Sequence, residues 1–257
     1  MNISLAAEPI LHLGSFPVTN SFIVAVILMF GFVTVSLAFR RRVLADVPGG
    51  FQNLLETIME GGIQFVEGVT GNKEKAKRFF PLVATIFFFV LLSNWFGLLP
   101  GVGSIGLWEE HAGASILVPF FRSASADLNT TLAIALISVL GTQFFGIIAL
   151  GFIKHASKYI NFRGLIKHFS FQNVIMFFVG FLELIGEVAR VVSFSFRLFG
   201  NVFAGEVLLI VISALVPYLA PIPFLFLEIF VGMVQALVFS LLTLVFLTIG
   251  TEEHAEH

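Results

Sequence analysis

The sequence predicts an all-α protein built into a membrane, and three observations predict it. The mean hydropathy is +1.00. Of 257 residues, 58% are hydrophobic and only 12% are charged. That is about half the charged share of a soluble globular chain, so most elements have no polar face to turn toward water. The apolar residues also gather into runs long enough to cross the ~30 Å hydrocarbon core, which takes about 20 helical residues. The chain has no cysteine, which excludes a disulfide framework, thiol catalysis and thiolate metal sites. It carries no phosphate loop, metal cluster or nucleophile triad. Its 33 phenylalanines read as lipid-facing and packing material.

Residues 1–17 have neither a basic leader nor a clean cleavage site and read as a mature segment. The first apolar run covers about 18–39 and is closed by Arg40, Arg41 and Arg42. Residues 43–78 mix apolar positions with Glu56, Glu60 and Glu67, the pattern of a helix lying along a membrane surface. Lys73, Lys75, Lys77 and Arg78 precede a second run at about 79–100. A third, at about 129–153, is followed by Lys154, Lys158, Arg163 and Lys167. The segment between these two runs, 101–128, holds only Arg122. The positive-inside rule puts both basic loops on the cytoplasmic side, and 1–17 and 101–128 outside. The whole of 1–257 reads as a single integral membrane domain.

After Ser170 the chain is apolar almost to its end. It is interrupted by Glu183, Glu187, Arg190, Arg197, Glu206, Glu228 and a cluster of Pro217, Pro221 and Pro223. Hydropathy is compatible with three spans here, near 171–196, 203–223 and 226–250. It is equally compatible with one long, strongly tilted helix that turns back at the prolines. The acidic tail, 252–257, does not decide between them, because Asp and Glu hardly count in the orientation rule.

Ionisable residues inside apolar sequence need an account. An arginine near the bilayer centre costs ~2.5–3.5 kcal/mol even on the lenient insertion scale, so such residues normally face a partner or a water path. Glu187 and Arg190, three apart, can neutralise one another on one helix. Glu183, Arg190 and Arg197 recur every seven residues and form one stripe. Asn201 roughly continues it, whereas Glu206 points about the other way. Glu228 and Gln235 share a stripe on the last helix. In an antiparallel pair, Gln235 comes level with Arg197 and Glu228 near Glu206, and two neighbouring carboxylates are expected to share a proton.

Several motifs then carry a resemblance. Ser193-Phe-Ser-Phe-Arg197-Leu-Phe-Gly-Asn201-Val-Phe-Ala-Gly-Glu206 resembles the signature of subunit a of F-type ATP synthases, S-x-x-x-R-L-F-G-N-x-x-A-G followed by an acid or a histidine. Asn94-Trp95-Phe96-Gly97-Leu-Leu-Pro100, Ser125-Ala-Asp127-Leu-Asn129-Thr-Thr131 and Val234-Gln-Ala-Leu-Val-Phe through Glu252-Glu253-His254 resemble three further motifs of that family, in order. Asp127 and Asn129 also read more simply as helix N-caps.

The resemblance implies about five membrane-crossing passes, an outside N-terminus, and a long tilted helix hairpin over 171–250 facing a ring of subunit c. It implies a stator subunit of a rotary motor, with no ATP chemistry of its own. Arg197 matches the family's essential arginine, which faces the ring carboxylate. Glu206 and Glu228 match the outer half-channel, Glu183 the inner access path, and Asn201 and Gln235 polar neighbours of the arginine. Two acids stand where the family often pairs an acid with a histidine. The implied partners are the c-ring, the peripheral-stalk subunit b and membrane lipid, in a hetero-oligomer without nucleic acid. No cofactor or metal is expected. The implied location is the bacterial plasma (inner) membrane. A stand-alone ion or solute transporter with an intramembrane charge relay accounts for the same charges. So does a membrane scaffold in which Arg197 is a packing ion pair. Neither accounts for the ordered motifs.

Overall fold

The computed structural model describes residues 7–42, 50–103, 105–111, 114–159 and 171–252. Arg163, Lys167, the tail 253–257 and parts of the two segments 1–17 and 43–78 lie outside the described residues. The chain is all-α apart from two small hairpins. β1 (Pro9–Leu13) pairs antiparallel with β2 (Phe16–Thr19), and β3 (Gly106–His111) with β4 (Ala114–Pro119). The helices are α1 (Asn20–Arg42), α2 (Gly50–Thr70), α3 (Lys73–Phe96), α4 (Leu128–Leu150), α5 (Phe152–Tyr159), α6 (Phe171–Leu215) and α7 (Pro221–Gly250). Five of them are long and apolar enough to cross a membrane: α1, α3, α4, α6 and α7.

Of the two forms that hydropathy allows in the last third, the structure takes the long helix and hairpin that the family resemblance implies. α6 is one continuous helix of 45 residues, because no proline occurs before Pro217 and Gly200 and Gly205 are tolerated in a helix that packing supports. Its 38-residue apolar part is ~57 Å long at 1.5 Å per residue. It cannot stand upright in a ~30 Å core and must lie strongly tilted. Pro217 ends the helix and Pro221 opens α7 at its first turn, where a missing N–H costs nothing.

Lipid offers no hydrophobic drive for helix association, so small and polar residues make the contacts. Ser138 on α4 bonds Thr243 on α7 at 2.7 Å, and Thr131 bonds Ser195 on α6 at 3.1 Å. Asn94 Nδ2 donates to the Gly232 carbonyl at 3.1 Å, and Trp95 Nε1 to the Ile229 carbonyl at 3.1 Å, tying α3 to α7. Around these lies an apolar core that includes Val90, Ala135, Phe194, Leu198 and Phe239.

The chain between α3 and α4 is anchored rather than looped freely. The Ser93 carbonyl accepts from Ser123 Oγ at 2.8 Å, and the Ser93 hydroxyl accepts from the Ser125 amide at 3.0 Å. Asn20 Nδ2 donates to the Pro119 carbonyl at 3.3 Å, so both hairpins sit at the same end of the bundle. The N-termini of α3 and the C-termini of α4 and α7 meet at the opposite end, where Lys75, Arg78, Ala149 and Thr251 line one crevice.

Asp127 caps α4 as expected. Its backbone is extended and its side chain accepts from the Asn129 amide at 3.0 Å. Asn129 is not itself a cap: it lies in the first turn, with helical backbone, where its side chain cannot reach the orphan amides as a preceding residue does. The buried Asp127 also accepts from Ser21 Oγ at 3.0 Å, joining α1 to α4. Asp127→Ala removes both bonds and is expected to cost ~2 kcal/mol. The measurement is thermal unfolding of the detergent-solubilised complex, with Asp127→Asn retaining the larger share of stability.

Candidate functional site

The hairpin end of α6 and α7 holds a cavity of about 190 Å³, roomy enough for several waters. It brings together four of the six residues singled out in the sequence: Asn201, Glu206, Glu228 and Gln235. Asn201 Nδ2 donates to Gln235 Oε1 at 2.8 Å. This bond ties α6 to α7 one turn beyond Arg197. The helix register is set by packing of Phe194 on Phe239, with ring centroids 4.9 Å apart, which the rise per residue alone does not specify.

Gly205 explains how the two acids come so near. A Cβ at this position would collide with the Glu228 carboxylate, so the absence of a side chain lets that carboxylate pack directly against α6 beside Glu206. The two acids are not equivalent, however. Arg122, only 7% exposed, clamps Glu206. Its Nε donates to both carboxylate oxygens at 3.0 Å and its Nη2 to Oε2 at 2.9 Å. Glu228 makes no hydrogen bond or ion pair with any described residue. Two buried polar atoms, Asn94 Oδ1 and Gln235 Nε2, have no protein partner, and their side chains line the same cavity. Buried amides of this kind are normally satisfied by water.

Arg197 lies outside this cavity. It is exposed on α6, and the ring of Phe194 lies 5.9 Å from its guanidinium. Among the described residues it has no ion pair and no hydrogen bond. Ser193, Gly200 and Ala204 are exposed on the same side, at the i, i+4, i+7 and i+11 spacing of one helix face. Small residues beside a lone cation leave room for another helix to approach the α6 backbone.

Glu183 lies toward the other end of α6, ~21 Å from Arg197 by helical rise. Nearby, Arg190 Nη1 contacts both oxygens of Glu187 at 2.9 Å, and its guanidinium stacks 3.6 Å from the Phe246 ring centroid. Self-neutralisation thus accounts for this pair. The described residues add a cluster that the sequence reading did not find. Gln143 Oε1 meets buried His155 Nε2 at 2.7 Å and accepts from the Tyr159 hydroxyl at 3.0 Å. His155, Tyr159, Gln143 and Glu187 line a second cavity of about 340 Å³. Burial pushes the Tyr159 hydroxyl above its ordinary value, and the carboxylates of Glu187 and Glu183 push the same way, so it remains a donor.

Arg122 was the most legible omission. It is the sole Lys or Arg in 101–128, an outer segment by the charge rule, and a cation on that side calls for a partner. His155 and Gln143 gave no such signal, because only the fold of α5 back onto α4 and α6 joins them.

The sequence profile of the family described as ATP synthase A chain matches residues 19–248. This chain belongs to that family. It is 37% identical over 216 residues to ATP synthase subunit a of Campylobacter jejuni, an alignment covering 84% of this chain and 83% of the relative. It is 36% identical over 233 residues to ATP synthase subunit a of Citrifermentans bemidjiense, covering 89% and 86%. A similar match, 36% over 233 residues, links it to ATP synthase subunit a 3 of Pelobacter propionicus, covering 90% and 85%. With its five apolar helices, this ATP synthase A chain is an integral inner-membrane protein and a membrane-sector component of the ATP synthase complex, with a part in proton transport and ATP synthesis.

Proposed function

We propose that this chain is the stator of the rotary membrane sector, and that it supplies two proton half-channels and the arginine that couples ion flow to rotation of the c-ring. The supporting observation is Arg197, an exposed guanidinium in the middle of an apolar helix with no counter-ion among the described residues. Left against lipid, it would cost ~2.5–3.5 kcal/mol or more. A carboxylate on a partner helix removes that cost. The flanking Ser193, Gly200 and Ala204 suit close helix approach.

The outer half-channel is the cavity of Glu206, Glu228, Asn201 and Gln235. The inner path passes Glu183. A ring carboxylate must be neutral to face lipid and charged to face Arg197. Passage of the ring past Arg197 therefore releases a proton to one path and takes the next from the other. Arginine suits this role because it keeps its proton in any environment. Subunit b of the peripheral stalk holds the stator still. In this reading the β1–β2 hairpin lies outside the membrane, α2 (Gly50–Thr70) lies along its inner surface, and the α6–α7 hairpin faces the ring.

The native chain has no cysteine, which allows a direct test. Single cysteines replacing Ser193 or Ala204 are expected to form disulfides with cysteines on the outward helix of the c-ring in native membranes. A cysteine replacing Leu140, which is 62% exposed on α4, serves as the control. Absence of cross-links at both α6 positions, with the ring present in the membranes, counts against the assignment.

A further inference from the structure

The clamp on Glu206 separates the tasks of the two acids that line the outer cavity. Arg122 is 7% exposed and uses three N–H···O contacts of 2.9–3.0 Å on one carboxylate. Both Glu206 oxygens are therefore occupied by a guanidinium, and a proton arriving there must displace a charge-assisted, forked hydrogen bond. Glu228 has no hydrogen bond or ion pair to a described residue. Its carboxylate lies against Gly205 and lines the same water-sized cavity. Among the described residues, Arg122 is the one cation that lines this cavity.

We propose that Arg122 is a positioning residue of the outer half-channel: it holds Glu206 as a fixed counter-charge and leaves Glu228 as the group that takes up and passes on the proton. This rests on the reading of the cavity as a half-channel. The loop between α3 and α4, pinned by the Ser93 contacts, is then part of the path and not only a connection. The expectation that Glu206 and Glu228 share a proton then gains an order: Glu228 takes the proton and Glu206 stays charged.

The geometry makes a distinctive demand on charge. Deleting Arg122 leaves two uncompensated carboxylates in one cavity. Deleting the Glu206 charge leaves the Arg122 guanidinium, which lines the same cavity as Glu228, in competition with the proton for that carboxylate. Deleting both restores the balance at Glu228.

The experiment uses membrane vesicles containing the whole ATP synthase complex, with ATP-driven proton pumping normalised to the amount of copurified c-ring. The variants are Arg122→Gln, Glu206→Gln, Glu228→Gln, the Arg122→Gln/Glu206→Gln double variant, and Arg197→Ala. Each of the two single variants at 122 and 206 is expected to fall about tenfold, within the range of coupling between directly contacting residues. The double variant is expected to recover severalfold over either, and Glu228→Gln to remain the slowest of the set at the outer cavity. Two results overturn the inference: a double variant no better than the worse single one, which makes Arg122 a tie for the loop, or a Glu228→Gln that pumps faster than Glu206→Gln. Wild-type pumping in all variants, Arg197→Ala included, instead defeats the half-channel reading itself.

Discussion

Arg197→Ala is expected to reduce coupled ATP synthesis by about a hundredfold or more, the scale seen when one preorganised charge is removed from a reacting centre. The c-ring is expected to copurify as before. The side chain is exposed on α6 and makes no polar contact with described residues, so its removal leaves no buried partner stranded within the chain. Its one described contact with the core is to the Phe194 ring, 5.9 Å away at the edge of reach, a weak interaction at an exposed site. The loss should therefore fall on coupling and not on assembly. On the proposed mechanism, a ring carboxylate then meets no cation as it passes, and nothing keeps the two half-channels apart. A passive proton leak is the expected companion of lost synthesis. The driving force on that leak is ~2.3 kcal/mol per charge per 100 mV. The measurement is proton flux and ATP synthesis in vesicles, with ring content checked on the same membranes. Normal coupled pumping in this variant would remove Arg197 from the mechanism.

Gly205→Val is the second substitution with a large expected effect, and it acts without touching any charge. A Cβ at Gly205 would occupy the space of the Glu228 carboxylate. That carboxylate is the far end of a flexible side chain, so the helices need not separate; Glu228 turns away instead. Displacement of a reacting group by an ångström can cost up to about a hundredfold, and the expected loss of proton flux is tenfold or more. Assembly and thermal stability should change little. Gly205→Ala, which adds the same Cβ but no branch, should share the defect in weaker form. A Gly205→Val complex that pumps at the wild-type rate would show that Glu228 does not need its place beside α6. A complex that fails to assemble would show that Gly205 serves packing.

The proposed path follows one helix for much of its length, and the sequence already orders its residues. Glu183, Arg197, Asn201 and Glu206 occur along α6 in the order in which a proton route would meet them from one end to the other. Their spacing is that of a helix, and a helix turns spacing into direction at 1.5 Å and ~100° per residue. The opposed orientation of Arg197 and Glu206 followed from this alone. So did the ion pairing of Glu187 with Arg190, which lie three residues apart and need only their own helix.

Partners across helices were less legible. The Asn201–Gln235 bond, the Arg122 clamp on Glu206 and the His155–Gln143–Tyr159 cluster each join residues from different elements. Arg122 and Glu206 are 84 residues apart. Nothing local in either segment names the other.

What the sequence by itself determined is the class of protein, the place of its apolar runs, and the charges those runs had to carry. Lipid imposes these in a local way. A run of apolar residues spans or it does not, and an ionisable residue within it must meet a partner or water wherever the chain folds. The family resemblance implied the long hairpin of the last third, and the tertiary structure shows it as one 45-residue helix folded against α7; only the tertiary structure decided which partner each charge received across helices. Those choices depend on side chains interlocking between helices, on Gly205 admitting a carboxylate and on Ser93 pinning a distant loop. Such contacts are properties of two surfaces together, and neither segment specifies them alone.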